Sequence, residues 1–125
     1  MQRQGMECTM LLTWFNAPVG RLYQIPTTSG LYIFTIQTHA GNTPIYVGKA
    51  KNLYERMCQH VSNSEQNLDL KSYINNYPGI IRVYWAQAPY SNDLDRMELY
   101  LFRRYNPYCN RIEPSADRTL VCNLP

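Results

Sequence analysis

The chain of 125 residues is long enough for one compact domain, and its 45% hydrophobic content is sufficient for a core. A net charge of +3 is too small to indicate nucleic-acid binding by itself. The sequence lacks an apolar run of about eighteen residues, which argues against a membrane-spanning helix. Because Glu7 precedes the N-terminal apolar patch, the N-terminus is a poor signal peptide, and we expect a cytoplasmic protein.

The cysteines are spaced too widely for the common zinc motifs. No Cys-x-x-Cys pair occurs among the four, so we expect neither a zinc site nor a disulfide framework. Reduced thiols are the simplest interpretation for Cys8, Cys58, Cys109 and Cys122.

The first predicted elements are two strands joined by a turn. The stretch GLYIFTIQ is rich in β-branched and aromatic residues, which predicts a strand from about Leu31 to Gln37. THAGNT, residues 38–43, is typical of a turn, and PIYVG, residues 44–48, predicts the second strand. Such strands should pair in antiparallel fashion. Tyr32 and Tyr46 should then lie near each other, although the register is not fixed by the sequence.

A helix is predicted directly after this hairpin, over KNLYERMCQHV. Asn52 followed three residues later by Glu55 resembles a capping box. Arg56 and His60 are one turn apart and therefore share a neighbouring face. The apolar stripe of this helix recurs every four residues and consists of Leu53, Met57 and Val61.

The remaining elements predict a small mixed domain. LDLKSYINNYPG suggests a helix that ends at its Asn-Tyr-Pro-Gly stop, IIRVYWAQA a third strand, and SNDLDRMELYLFRRY a final helix. We expect an α/β (α+β) fold, with a central three-stranded antiparallel sheet flanked by helices. The segment 10–19 should add a strand or helix, and 114–125 a surface extension.

Glu98 is placed unusually, within the apolar stripe of the final helix. That stripe also contains Met97 and Leu101. A buried carboxylate without a partner is unfavourable by several kcal/mol. Glu98 should therefore face an arginine, a lysine or a metal ion, and a structural ion pair is the simplest of these interpretations.

Several motifs in this order resemble the GIY-YIG nuclease superfamily. GLY at 30–32 and YVG at 46–48 resemble its paired signatures, with Leu31 and Val47 in place of two isoleucines. IYVGKAKNL followed by an arginine is similar to the nuclease domain of UvrC, the incision subunit of bacterial excision repair. The resemblance covers about residues 25–112, which leaves 1–24 as an N-terminal extension and 113–125 as a C-terminal one. The further positions that fit the family pattern are Lys49, Arg56, His60, Glu98 and Asn110.

The resemblance implies a metal-dependent endonuclease that hydrolyses DNA phosphodiester bonds. Glu98 would bind one divalent ion, Mg²⁺ or Mn²⁺, and Arg56 would hold the scissile phosphate. Tyr32 is the first candidate for the group that takes a proton from water, and Tyr46 is the second. A phenol with an ordinary pKa of about 10 needs a nearby cation to serve in this way, and Lys49 or the metal could supply it.

The other matched positions would have supporting roles. Lys49 could instead contact phosphate. His60 could orient water, protonate the leaving oxygen or contact the DNA backbone. Asn110 would fix the site through hydrogen bonds, and Gly30 and Gly48 would allow backbone and substrate to approach closely.

Two other interpretations remain open at this point. The chain could be a nucleic-acid-binding module that retains the fold without turnover, or an unrelated α/β protein whose tyrosines and Glu98 are structural. As a nuclease it could act in repair, in a mobile element or in a restriction-like role, on plain, nicked, branched or damaged DNA. Because so small a domain has little surface for base recognition, we expect modest specificity alone, or help from a targeting subunit or a homodimer.

Overall fold

The computed structural model describes residues 9–62, 65 and 67–125. Glu7 and Cys8 lie outside the described residues. Within the described part, short 3₁₀ turns occur at Leu22–Gln24 and Pro78–Ile80. The longer elements are strands β1 (Trp14–Pro18), β2 (Gly30–Thr38), β3 (Gly41–Ala50) and β4 (Ile81–Gln87), and helices α1 (Leu53–Val61), α2 (Leu68–Asn76) and α3 (Asn92–Tyr105).

In the described part of the chain the sheet contains four strands, so the expectation of three strands needs a minor correction. The order is β1-β4-β2-β3, and every neighbouring pair is antiparallel. The added strand, β1, comes from the segment for which a strand or a helix was expected, and it places Phe15 opposite Trp85. Pro18 is compatible with this strand because it lies at the end of an edge strand, where a missing N–H interrupts little pairing.

The β2–β3 hairpin is longer than its sequence suggests. Pairing continues to Thr38 and Gly41, so the turn is only His39–Ala40, shorter than the predicted 38–43. Gly41 has φ +107°, a conformation that glycine adopts without strain. The polar residues at the end of the hairpin are exposed, but their backbones still pair. Side-chain polarity is therefore a poor guide to where this turn begins and ends.

A bulge in the hairpin determines which residues face each other near its other end. The register shifts between Phe34 and Thr35, and beyond that point Tyr46 lies opposite Phe34 and Gly48 opposite Tyr32. Alternate residues of a strand point to opposite faces of the sheet. Tyr32, Tyr46 and Gly48 therefore share one face.

Helices cover both faces of the sheet and enclose two cores. The face that bears Tyr32 packs against α1 and α2, with Leu53, Met57 and Leu70 buried there. The opposite face packs against α3. This second core contains Leu31, Ile33, Val47, Leu94, Met97 and Leu101. Because both faces are covered, the first half of β2 is continuously buried, as its unbroken apolar sequence indicates.

The two chain ends pack against each other beside the sheet. Met10 and Cys122 form an isolated parallel bridge, and the Trp14 indole donates to the carbonyl of Asn123 at 2.9 Å. The Asn123 carboxamide also accepts a hydrogen bond from the backbone N–H of Leu12 and donates one to its carbonyl oxygen. Among the described residues, no helix has the length and apolarity needed to cross a bilayer. The domain boundaries at 24/25 and 112/113 stay predictions.

Candidate active site

Tyr32 lies at the centre of a cluster of polar side chains under α1. The residue is 1% exposed, and its ring stacks on Tyr46 with centroids 6.2 Å apart, which confirms the predicted proximity of the two tyrosines. The hydroxyl lies 2.7 Å from His60 Nε2 and accepts a hydrogen bond from Arg56 Nε at 3.3 Å. The one-turn spacing of Arg56 and His60 on α1 thus brings both side chains to one phenol.

The two glycines of the signatures make room for protein groups. A Cβ at Gly48 would lie 2.4 Å from Tyr32 Cζ, so the tyrosine ring occupies the space above this residue. A Cβ at Gly30 would lie 2.1 Å from the carbonyl oxygen of Ala86 and 2.9 Å from Leu53 Cδ1. Gly30 therefore lets β2 pack closely against β4 and α1.

His60 is buried and held at both ring nitrogens. Its side chain is 3% exposed, and Nδ1 bonds Glu65 Oε2 while Nε2 faces Tyr32. Burial lowers the pKa of His60 and Arg56 lowers it further, whereas Glu65 opposes both effects. Glu65 was missed at the sequence level because it lies in a polar stretch, SNSEQN, without periodicity.

Glu98 and Lys49 form an ion pair on the α3 side of β3. The Glu98 side chain is 13% exposed, and its Oε1 lies 3.5 Å from Lys49 Nζ, so lysine is the cation that its position required. Lys49 also contacts Asp95 Oδ1 at 2.5 Å. Burial raises the pKa of Glu98, and Lys49 partly counteracts this effect.

Tyr32 and Glu98 thus lie on opposite faces of the sheet. Burial is the largest cause of the raised pKa of both groups; the charge of Glu98 adds a smaller effect at Tyr32, and Lys49 followed by Arg56 opposes the effect of burial at Glu98. An open pocket of about 330 Å³ has Lys49, Lys51 and Arg56 in its lining together with the acidic Glu55. This excess of positive charge suits a phosphate backbone.

Both phenols are neutral at ordinary pH. Burial raises the pKa of Tyr32 and of Tyr46, and Arg56 only partly offsets that effect at each. The cation beside the Tyr32 hydroxyl is Arg56, whereas Lys49 contacts carboxylates. Either phenol could accept a proton from water only if it passed its own proton to a neighbour, and Tyr32 has His60 within hydrogen-bond distance.

Asn110 fixes the free edge of β3. Its Oδ1 accepts from the backbone N–H of Val47 at 2.8 Å, and its Nδ2 donates to the carbonyl of Val47 at 3.0 Å. The backbone N–H of Cys109 donates to the carbonyl of Ile45 at 2.7 Å. These bonds replace the missing neighbouring strand and hold Tyr46 and Gly48 in place.

The residues present fit a divalent ion bound largely through water. Within the described part of the chain, no group of three or more His, Cys, Asp or Glu side chains could enclose a metal. Mg²⁺ commonly keeps several waters and uses one or two carboxylates. Glu98 can supply one such carboxylate, which is mostly buried. Lys49 lies 3.5 Å from its Oε1 and also pairs with Asp95, so this lysine would have to give way to the ion.

Most of the chain is similar in sequence to a known family. Residues 28–113 match the model of the GIY-YIG catalytic domain. The sequence is 33% identical to UvrABC system protein C of Aquifex aeolicus over 85 residues, which are 68% of this chain and 14% of that protein. It is 53% identical to the corresponding protein of Deinococcus radiodurans over 36 residues, 29% of this chain and 5% of the relative. The matches thus cover a small part of both relatives.

The fold is similar to a solved domain. The crystal structure of the GIY-YIG N-terminal endonuclease domain of UvrC from Thermotoga maritima, bound to its catalytic magnesium, superimposes with a TM-score of 0.57. The sequences are 22% identical, and the match covers 73% of this chain and 92% of that domain. By its motifs, its fold and its family match over residues 28–113, the chain belongs to the GIY-YIG catalytic domain family.

Proposed function

We propose that this chain is a divalent-metal-dependent endonuclease that hydrolyses phosphodiester bonds in DNA. The observation that carries the proposal is the convergence of Tyr32, Arg56 and His60 on one side of Gly48 with Lys49 and Glu98 on the other. The Thermotoga domain with a similar fold is an endonuclease that binds magnesium, which supports the same chemistry here.

Arg56 is the proposed ligand of the scissile phosphate. It is exposed at the pocket, while its Nε reaches the Tyr32 hydroxyl. A guanidinium presents a planar fork of donors that matches two phosphate oxygens. In this position it would stabilise the negative charge that develops as the phosphorus is attacked.

Tyr32 is the proposed acceptor of the proton of the attacking water. Because its pKa is raised, it would act as a relay, giving its own proton to His60 Nε2 as it takes one from water. Tyr46, which is half-buried and lacks such a contact with His60 Nε2, is the second candidate.

Glu98 is the proposed ligand of one Mg²⁺ or Mn²⁺ ion. When bound, the ion would supply Lewis-acid polarisation of the phosphate. Lys49 already bridges Asp95 and Glu98, so it can balance the negative charge of these two carboxylates before and after substrate binds. Asn110 would keep the edge strand in the position that both halves of the site require.

DNA is the proposed substrate, in a cytoplasmic role in repair, in a mobile element or in restriction. The pocket offers phosphate contacts, and a domain this small has little surface for base recognition, so a targeting subunit or a homodimer would supply selectivity. The proposal predicts cutting of supercoiled plasmid and of labelled branched and nicked DNA with Mg²⁺ or Mn²⁺, and none with a chelator. Binding without cutting, with both metals and all these substrates, would instead favour a binding module.

A further inference from the structure

We propose that Glu65 is a positioning residue of this site: its carboxylate holds the His60 ring with a proton on Nδ1, so that Nε2 accepts the hydrogen of Tyr32. No feature of the sequence pointed to Glu65. The effect of this arrangement on cleavage rests on the proposed function, whereas the protonation of the ring can be measured without any activity.

The hydrogen-bond geometry assigns the direction of each bond. An ionised carboxylate only accepts hydrogen bonds, so the contact of Glu65 Oε2 with His60 Nδ1 requires a hydrogen on that nitrogen. A neutral imidazole has one donor and one acceptor nitrogen, which leaves Nε2 as the acceptor. Tyr32 then donates to Nε2 across 2.7 Å, while its oxygen accepts from Arg56.

The charges around His60 favour the neutral ring. It is packed among the rings of Tyr32, Phe34 and Tyr46, and the guanidinium of Arg56 lies on its own helix. Burial and this guanidinium both disfavour an imidazolium, and only Glu65 favours one. A neutral ring at neutral pH can accept a proton during the reaction, and the adjacent carboxylate would then stabilise the imidazolium.

Glu65 is itself fixed by a second contact. Its Oε1 accepts from the backbone N–H of Asn67 at 2.9 Å. Asn67 caps α2 by accepting from Leu70 N and donates its side-chain amide to the carbonyl of Cys109 at 2.7 Å. The segment that holds the edge of β3 therefore also anchors the residue that holds His60.

The proposed proton movement balances. As the water oxygen attacks phosphorus, its proton passes to the Tyr32 oxygen and the phenol proton passes to His60 Nε2. The bond from phosphorus to the leaving oxygen breaks, and that oxygen takes the electron pair and a proton from solvent. His60 ends as an imidazolium paired with Glu65 and returns its extra proton to solvent after product release.

The substitution Glu65→Gln tests this role because a carboxamide has only one acceptor. The amide oxygen is needed by Asn67 N–H, so the NH₂ group would face His60 Nδ1 and move the ring hydrogen to Nε2. Tyr32 would then have no acceptor on His60. Glu113→Gln is the matched control, since this carboxylate is half-exposed and pairs with Arg103.

Nitrogen NMR of the imidazole rings is the first measurement, on the full chain. The sequence has two histidines, and His39→Gln leaves His60 as the only signal. We expect hydrogen on Nδ1 in the otherwise wild-type protein and in the Glu113→Gln variant, and on Nε2 after Glu65→Gln. A wild-type ring with its hydrogen on Nε2 would overturn the proposal even if the variant failed to fold.

Cleavage kinetics provide the second measurement. Glu65→Gln should lower the single-turnover cleavage rate by at least about tenfold, within the range of acid–base catalysis, and leave the Kd for DNA unchanged. An unchanged rate, or a loss confined to Kd, would overturn the proposal. If the wild-type protein cut no DNA but its His60 ring carried the hydrogen on Nδ1, the nuclease proposal would fail. The placement of Glu65 would still be supported.

Discussion

Gly48 and Tyr32 face each other across the β2–β3 hairpin, and the tyrosine ring occupies the space that a side chain at position 48 would need. The second signature glycine is thus explained by the tyrosine of the first signature. This contact links the two motifs physically. A change in the position of the Tyr32 ring would require β3 to move at Gly48, and a shift of β3 would require the ring to move.

Substituting Gly48 should damage both stability and activity. In Gly48→Ala the new methyl group would lie 2.4 Å from the Tyr32 ring, so the ring or the strand must move. Overpacking of this kind typically lowers the free energy of unfolding by about 1–3 kcal/mol. Chemical denaturation and plasmid cleavage measure the two effects. Gly20→Ala, where an added Cβ meets nothing within 4 Å, should change neither, and equal behaviour of the two variants would refute this explanation of Gly48.

Asn110 should contribute to stability through the edge of β3. Asn110→Ala would leave the N–H and C=O of Val47 without their partner, a loss of about 1–3 kcal/mol for buried groups. Asn110→Asp keeps the acceptor and loses the donor, so its unfolding free energy should lie between those of alanine and wild type. Asn42→Ala, which removes an exposed bond to Tyr84, is the control. A larger loss in the control than in Asn110→Ala would contradict this role.

His60 should make the protein less stable in mild acid. Its pKa is lowered in the folded state from about 6.5 in the unfolded chain, so the unfolded chain binds more protons as the pH falls. The contribution to stability is therefore present above pH 6.5 and is lost as the pH falls through the folded-state pKa. Unfolding free energies between pH 7.5 and pH 5 should decline less in His60→Gln than in wild type. His39→Gln, at an exposed histidine, should retain the wild-type slope, and a wild-type slope in His60→Gln would be the contrary result.

Glu98→Gln should weaken divalent-ion binding without unfolding the domain. Lys49 retains Asp95 as a partner after the change, so the lysine is not left unpaired. Since even outer-shell residues typically affect metal affinity by about 10–100-fold, the Kd for Mn²⁺ measured by calorimetry should rise by at least about tenfold. Asp93→Asn, a half-exposed carboxylate on the same helix, should bind Mn²⁺ as the wild type does. Equal affinities of Glu98→Gln and wild type would exclude Glu98 as the ligand.

Much of this architecture could be predicted from local sequence. The β-branched run of β2, the Asn52 cap of α1 and the apolar stripe of α3 are consistent signals, and the structure confirms these elements. The sequence leaves β1 open between strand and helix because its pattern is short and its placement depends on pairing with β4, which is distant in the chain. A strand whose formation depends on pairing with a distant segment cannot be recognised from the residues around it alone.

The site residues whose positions follow from local spacing along the chain were predictable. Those whose positions depend on contacts between distant segments were not. Arg56 and His60 share a helix face, so their convergence on Tyr32 follows from helix geometry. Glu65 lies in a polar segment whose course is set by Asn67 and Cys109, far apart in sequence, and nothing nearby marks it as buried. For the same reason, the partner of Glu98 could be predicted as a cation but not as Lys49.

The central claim is that Arg56 and Glu98 act in one catalytic site across β3, and cleavage by the two single variants and the double variant tests it most directly. With Mg²⁺ and supercoiled plasmid, Arg56→Ala and Glu98→Ala should each reduce the rate by about 100-fold or more. The double variant should be little worse, since residues that act as a unit are not additive. Arg103→Ala, at an exposed arginine paired with Glu113, should cut at the wild-type rate. Retention of cleavage by either single variant would contradict the account.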